Sequence, residues 1–258
     1  MTGFLVTLAS SDPLGHVLDH DLYWLTENLQ ITRHVLFLVL AAALCLIVFP
    51  MVAKRIAGGA PGGRFTGLFE VILIYIRDQM VEPFLGDDTR KFVPLIWTFF
   101  FFVLFCNLLG LVPGSATATS NISVTAGLAL IAFVTYHAVG VKRNGLIKYL
   151  KDTLLVGPVL LWPMMIPIEI LSQIIRPCAL AIRLFANMVG GHIMLAVILG
   201  FAGILSAESF FLGTTITVIS LASCVLLMFL ELLVAGIQAY IFAFLTTVFL
   251  SLAVHPEH

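Results

Sequence analysis

Ionisable and amide side chains lie inside two long apolar tracts of this sequence, at about 154–205 and 209–254. The first tract contains Glu169, Gln173, Arg176, Arg183, Asn187 and His192, and the second contains Glu231 and Gln238. A charged side chain in the middle of a bilayer costs about 2.5–3.5 kcal/mol or more, so such residues are rare there and line ion or substrate paths. These side chains are therefore the first candidates for chemistry.

The polar residues of the first tract recur at a regular interval. Glu169, Arg176 and Arg183 are seven residues apart. One further helical turn leads to Asn187. Steps of seven and four residues keep side chains on one face of an α-helix. The second tract repeats the seven-residue step, so each tract is expected to present one polar face.

An antiparallel hairpin would bring polar residues of the two tracts to matching depths. With a turn near Phe210, Arg183 lies at the depth of Gln238. In the same arrangement His192 lies at the depth of Glu231, about 10–13 Å further along by helical rise. We therefore expect two sites. One holds a cation that stays charged at any relevant pH, and the other holds a carboxylate and an imidazole that exchange protons near neutral pH.

Each of these residues also has a structural interpretation. Arg176 could extend to the membrane surface beside Pro177, and Glu169 could simply be solvated near the start of its helix. Hydrogen-bonded packing between helices would account for three others: Asn187, His192 and Gln238. Arg183 lies too deep in its tract to extend to the membrane surface, and it is the residue that most requires a function.

The composition places the chain in a membrane. Of 258 residues, 60% are hydrophobic and 10% are charged, whereas a soluble domain has about 25% charged residues. The net charge of -1 suggests no nucleic-acid partner. The cysteines are spaced for neither a zinc site nor disulfides. His16, His20 and Asp21 could bind a metal, but a solvated segment is favoured, so we expect no metal and no cofactor.

Hydropathy predicts an all-α membrane protein. Spans are expected at about 35–53, 92–112 and 122–141, followed by the two long tracts, with an interfacial amphipathic helix at about 65–84. Each long tract would be about 70 Å long as a helix. It is therefore either two spans or one steeply tilted helix, and the lack of a turn signal around Glu231 favours tilt. We divide the chain into residues 1–34, facing outward, and a single membrane domain, 35–258.

Loop charge predicts the orientation. Two connections hold ten of the thirteen Lys and Arg residues: Lys54, Arg55, Arg64, Arg77, Arg90 and Lys91 in one, and Lys142, Arg143, Lys148 and Lys151 in the other. The connection 112–122 has no charge. By the positive-inside rule, the basic connections and the C-terminus face the cytoplasm. The N-terminal segment, which has no basic leader, faces outward with its acidic residues Asp12, Asp19, Asp21 and Glu27.

Several motifs together resemble one known family. Residues 176–188 read RPCALAIRLFANM and lead into Gly190-Gly191-His192, and residues 238–242 read QAYIF and lead into TTVFL at 246–250. With NLLGLVP at 107–113 and NISVT at 121–125, they resemble F-type ATP synthase subunit a over nearly the whole chain beyond Leu36.

The resemblance implies a role for each polar residue. Five membrane helices and an interfacial one would place the two long helices against a rotating c-ring, each of whose subunits carries a carboxylate. Arg183 would face that carboxylate, with Asn187 and Gln238 as neighbours. His192 and Glu231 would line the outward half-channel, and Glu169 and Arg176 the cytoplasmic one. In some bacterial members the acid and the histidine of the His192–Glu231 pair are exchanged.

The resemblance also implies partners and a location. The chain would be a proton-conducting, non-catalytic subunit for ATP synthesis, in contact with the c-ring, b-type peripheral stalk subunits and lipid, and indirectly with the catalytic head. A bacterial plasma membrane is favoured, with the mitochondrial inner membrane as the alternative. A proton-coupled secondary transporter should show two related halves, which are not evident. A stand-alone proton channel should conduct without a ring.

Overall fold

The apolar tracts fold into helices. The computed structural model describes residues 21–26, 29–57, 63–111, 118–154, 162–205 and 210–254. In chain order the elements are β1 (Asp21–Thr26), β2 (Leu29–Thr32), α1 (Arg33–Ala57), α2 (Arg64–Tyr75), α3 (Glu82–Leu85), α4 (Thr89–Gly110), α5 (Ile122–Asn144), α6 (Leu146–Leu154), α7 (Trp162–Leu205) and α8 (Phe210–Val254). A π-helical segment, Ile76–Val81, joins α2 to α3, and short 3-10 turns lie at Gly86–Asp88 and Ala118–Ser120.

Five helical stretches are long and apolar enough to cross a membrane, which confirms the predicted all-α membrane fold. They are His34–Arg55, Thr66–Gly110, Ile122–Asn144, Trp162–Phe201 and Gly213–Val254. The short antiparallel hairpin of β1 and β2 precedes them and was not predicted. The predicted turn at 206–209 lies outside the described residues, as do His16, His20, Asp12, Asp19 and Glu27.

A turn at Gly86 separates the predicted interfacial helix from the span that follows it. Residues 64–85 are helical throughout, with the π-helical segment in the middle. Gly86 then has φ of 49°, a backbone conformation that glycine adopts without the steric cost of a Cβ. The α-helical conformation is interrupted here, and α4 starts at Thr89, three residues before the expected position.

The main core lies between α4, α5 and the carboxyl half of α8. Phe101 and Phe242 are 1% and 0% exposed, and the rings of Phe99 and Phe242 are 5.7 Å apart. Polar contacts hold the end of α8 in place. Asn144 Nδ2 donates to the Ala253 carbonyl at 3.0 Å, and Ser251 Oγ donates to the Phe84 carbonyl at 2.6 Å.

The long helices α7 and α8 form an antiparallel hairpin. At about 1.5 Å per residue, each is more than twice the thickness of a hydrocarbon core. Pro167 and Pro177 lie inside α7, where each removes one backbone hydrogen bond. Helix α7 packs on α5, α6 and α8. Much of its remaining surface is exposed in the isolated chain, and this surface carries Arg183.

Candidate functional site

The predicted polar residues form two separate groups along α7, with Arg183 between them. We call Asn107, Asn187, Glu231 and Gln238 the amide pocket, because three of its four members carry amides. We call Glu169, Gln173 and Arg176 the ion-pair cluster. Both groups lie within the part of the chain that the structure describes.

Hydrogen bonds link three helices at the amide pocket. Asn187 Nδ2 of α7 donates to Gln238 Oε1 of α8 at 3.1 Å. Asn107 Nδ2 of α4 donates to the Ala235 carbonyl at 3.4 Å. Asn107 Oδ1 in turn accepts from Thr119 Oγ1 at 3.2 Å. Asn107 and Gln238 are each 2% exposed, so these amides are part of the interior.

The amide pocket has room for about one water molecule. Its free volume is about 20 Å³, and a single water needs at least about 10–15 Å³. Gln238 Nε2 and Glu231 Oε1 are buried without a hydrogen-bond partner among the described residues. An unsatisfied buried polar atom costs about 1–3 kcal/mol, so this site favours a bound water or a proton.

A glycine allows the Glu231 carboxylate to lie against α7. A Cβ placed on Gly191 would overlap Glu231 Oε1, so any larger residue would displace the carboxylate. The next residue, His192, is half-buried. The structure therefore brings Glu231 to the helical turn that carries His192, as the matching depths predict. Among the described residues no hydrogen bond joins the two side chains.

The ion-pair cluster lies near the other end of α7. Glu169 Oε1 accepts from Gln173 Nε2 at 2.9 Å and from Arg176 Nη2 at 3.4 Å. The Arg176 guanidinium carbon also lies 5.3 Å from the centre of the Phe249 ring on α8. The Glu169 and Arg176 side chains are 21% and 28% exposed. They therefore engage each other in a partly buried site, rather than extending separately into solvent.

Arg183 lies on the face of α7 that points away from the bundle. Leu180 and Leu184, 4% and 1% exposed, pack inward, whereas Ile182 and Arg183 are exposed. Arg183 has no ion pair and no hydrogen bond to any described residue. By helical rise it lies about 10 Å from Arg176 along α7. It is thus an exposed cation on a helix whose apolar length suits a membrane.

The sequence indicated most of these residues but assigned no role to Asn107 or Thr119. Asn107 is an amide within an otherwise apolar helix, and this is a signal of the same kind as Gln238. Its partners lie 12 and 128 residues away in the chain, and spacing along a single helix cannot reveal them.

Comparison with known proteins gives a consistent result. The profile of the family described as ATP synthase A chain matches residues 35–251. ATP synthase subunit a of Gluconacetobacter diazotrophicus is 41% identical over 245 residues, covering 94% of this chain and 96% of that protein. The protein of the same name from Gluconobacter oxydans is 40% identical with the same coverage. That of Chloroherpeton thalassium is 37% identical over 236 residues, covering 90% of this chain and 69% of the relative.

Proposed function

Because the chain belongs to the ATP synthase A chain family, we propose that Arg183 is the fixed charge that rotor carboxylates pass during proton transport. At the level of the family, the chain is a membrane-embedded ATP synthase subunit with a proton-conducting role. The observation that carries the finer proposal is the position of Arg183. It is a guanidinium without a partner among the described residues, on the exposed face of an apolar helix.

The physical role of Arg183 follows from its chemistry. A guanidinium keeps its proton at any relevant pH. A carboxylate passing close to it is favoured in its ionised form. The same carboxylate facing lipid must be protonated, since a bare charge is too costly there. A ring of acidic subunits would therefore release protons beside Arg183 and carry them everywhere else.

Two half-channels complete the proposed mechanism. His192 and Glu231 form the outward half-channel, and Glu169 with Arg176 forms the cytoplasmic one. Asn187 and Gln238 lie beside Arg183 and orient the passing carboxylate. Residues 169 and 192 are about 35 Å apart by helical rise. A positive charge between the two groups opposes direct cation passage, so protons cross by travelling on the ring.

Torque follows from the order of the proton transfers. During synthesis a proton entering by His192 and Glu231 neutralises one ring carboxylate, which then moves into lipid. After almost a full turn, that carboxylate reaches the ion-pair cluster and is deprotonated before it meets Arg183. The driving free energy is about 2.3 kcal/mol per charge per 100 mV. The chain itself makes and breaks no covalent bond other than those to protons.

Partners and orientation belong to the same proposal. We place the c-ring against the exposed face of α7 and α8, with b-type stalk subunits on other faces and the catalytic head linked indirectly. The basic connections face the cytoplasm, and residues 1–34 face outward from a single membrane domain, 35–258. The relatives named above are bacterial, and this supports a plasma membrane location.

The decisive experiment replaces Arg183 with alanine in the complete ATP synthase. Coupled synthesis and ATP-driven proton pumping should be lost in reconstituted vesicles, while the assembled complex is recovered in near-normal amount. Arg143→Ala is the matched control, because Arg143 pairs with Asp88 at the end of α5 and should retain most pumping. Normal coupled pumping by the Arg183→Ala complex would refute the proposal.

A second measurement separates the stator subunit from a stand-alone channel. The purified chain alone in vesicles should conduct protons poorly, because the amide pocket has room for about one water molecule rather than for a continuous file. Rapid, selective conductance without a ring would favour the channel instead.

A further inference from the structure

A polar contact between α5 and α6 lies next to the ion-pair cluster. His137 Nδ1 and Tyr149 Oη are 2.7 Å apart. Tyr149 is 6% exposed, and its ring lies so close to α5 that a Cβ on Gly140 would overlap it. The tyrosine is therefore fixed by packing, and its hydroxyl fixes the orientation of the imidazole.

Polar atoms on α5 and in the ion-pair cluster lack hydrogen-bond partners in the part of the chain that the structure describes. Tyr136 Oη, His137 Nε2 and Gln173 Oε1 are buried without hydrogen-bond partners among the described residues. Folded proteins satisfy the large majority of such atoms, so each exception requires an explanation. The rings of Tyr136 and His137 are centred 4.5 Å apart, and Gln173 belongs to the ion-pair cluster. The two adjacent exceptions on α5 indicate a place where water or a moving proton supplies the missing bonds.

Arg176 connects this region to the ion-pair cluster. It lies within electrostatic range of Tyr136, His137 and Tyr149. The Tyr136 ring is centred 5.7 Å from the ring of Phe249, on which the Arg176 guanidinium also packs. Four helices therefore meet here. The titratable or charged groups that face His137 are Tyr136 from its own helix, Tyr149 from α6 and Arg176 from α7. Glu169 is one step further, as the ion-pair partner of Arg176, and α8 contributes the Phe249 ring.

We propose that His137, positioned by Tyr149, is a proton-transfer residue at the α6 end of the ion path, beyond Glu169. The inference rests on the proposed function, because it extends the half-channel that contains Glu169 and Arg176. It adds a proton-transfer residue on α5, His137, and a positioning residue on α6, Tyr149.

The transfer can be written with every proton accounted for. A neutral His137 that donates its Nδ1 hydrogen to Tyr149 Oη leaves Nε2 free to accept a proton from the direction of Glu169. The resulting imidazolium releases the Nδ1 proton to the tyrosine hydroxyl oxygen as that hydroxyl gives its own proton to water. The ring is then neutral with its hydrogen on Nε2. Exchange of the ring hydrogens with water restores the Nδ1 hydrogen, without net proton movement, before the next transfer. Pumping driven by ATP hydrolysis uses the same steps in reverse.

The state of Tyr149 fits this role. Burial raises the pKa of the Tyr149 hydroxyl above its usual value, although nearby Thr153 and Arg176 oppose the shift. The hydroxyl therefore keeps its proton at neutral pH and can both accept a hydrogen bond and donate one.

The test compares His137→Gln and Tyr149→Phe in the complete ATP synthase, in vesicles whose α6 side faces the medium. The initial rate of ATP-driven pumping is measured while the external pH is varied. Because the imidazole takes up and releases a proton in each transfer, the wild-type rate should change in a step across the pH range in which it titrates. His137→Gln should slow pumping several-fold and remove this step, while Tyr149→Phe keeps the imidazole and should displace the step. Tyr75→Phe, on α2, is the control and should match the wild type.

Specific outcomes decide the inference. A His137→Gln profile that superimposes on the wild-type profile would overturn it. So would two variants that lower the rate by one common factor at every pH, which is the result of a purely structural contact. If His137→Gln does not assemble, Tyr149→Phe decides, because an unmoved pH step in that variant refutes the positioning role. Arg183→Ala in the same vesicles reports separately on the proposed function.

Discussion

The bundle around α4 and the exposed surface of α7 are both apolar, but they differ in what covers them. In the most apolar part of residues 66–110, 50% of residues are buried within the chain, against 11% in the corresponding part of α7. Lipid is as apolar as leucine, so hydrophobicity alone does not distinguish a packed membrane helix from a bare one. The difference shows that contacts within the chain cover the helices around α4 but leave most of the surface of α7 uncovered.

The hydrogen bonding of polar groups distinguishes the packed region from the exposed surface of α7 more clearly than the burial of apolar residues does. In the packed region, Thr246 and Thr247 donate to carbonyls of their own helix, and Asn144 donates to the end of α8. On the bare face, Arg183 has no partner among the described residues. A cation left in this way on an apolar surface is consistent with a face that another subunit covers.

The largest expected effect comes from adding bulk to each region. Ala186 is exposed beside Arg183, and Ala239 is 0% exposed in the packed region. Ala186→Trp should change the free energy of unfolding of the isolated chain by less than about 0.5 kcal/mol. The same substitution should reduce the rate of coupled pumping at least about tenfold. Ala239→Trp should destabilise the chain itself by about 1–3 kcal/mol or more. Equal effects of both substitutions on stability would remove the distinction between the regions.

A smaller effect is expected where Gly191 of α7 contacts the Glu231 carboxylate of α8. Gly191→Ala forces the Glu231 carboxylate to move, while a methyl group at Gly190 meets nothing within 4 Å. We expect Gly191→Ala to slow proton pumping several-fold with normal assembly, and Gly190→Ala to have little effect. Equal rates in the two variants would show that the position of the carboxylate is unimportant.

Exchange of the acid and the histidine tests whether they act as a pair. His192→Glu combined with Glu231→His should pump several-fold faster than either single variant, because the pair retains one imidazole and one carboxylate. The measurement is ATP-driven acidification in vesicles. A double variant no better than the worse single variant would show that the two residues act independently.

The smallest effect is expected at the hydrogen bond between Ser251 and the Phe84 carbonyl, which holds the end of α8 in the packed region. Ser251→Ala removes a hydrogen bond to the Phe84 carbonyl and should lower the free energy of unfolding by about 0.5–1.5 kcal/mol with pumping unchanged. Ser223→Ala is the matched control, because among the described residues Ser223 donates within its own helix, to the Ile219 carbonyl. Thermal unfolding in detergent should distinguish the two.

The sequence predicted the helices well because bilayer thickness limits how apolar runs can fold. It also identified the residues of α7 and α8 that carry polar groups, since a charge in an apolar run is conspicuous. It assigned no role to Asn107, His137 or Tyr149. Their importance depends on contacts between helices, and hydropathy does not encode which faces meet. The separate helix α6 and the π-helical segment were missed for a related reason, because both are short and contribute little to a long apolar run.

Long-range contacts around α8 have a consequence for the biogenesis of the protein. Its carboxyl half bonds to Phe84, Asn107 and Asn144, all on segments that the ribosome completes much earlier. Those segments enter the membrane before their packing partner exists, and closing such long loops is slow. Until α8 arrives, α4 and α5 present unfilled polar and aromatic surfaces to lipid. The early helices are therefore expected to depend on insertion factors that shield them until translation reaches the end of α8.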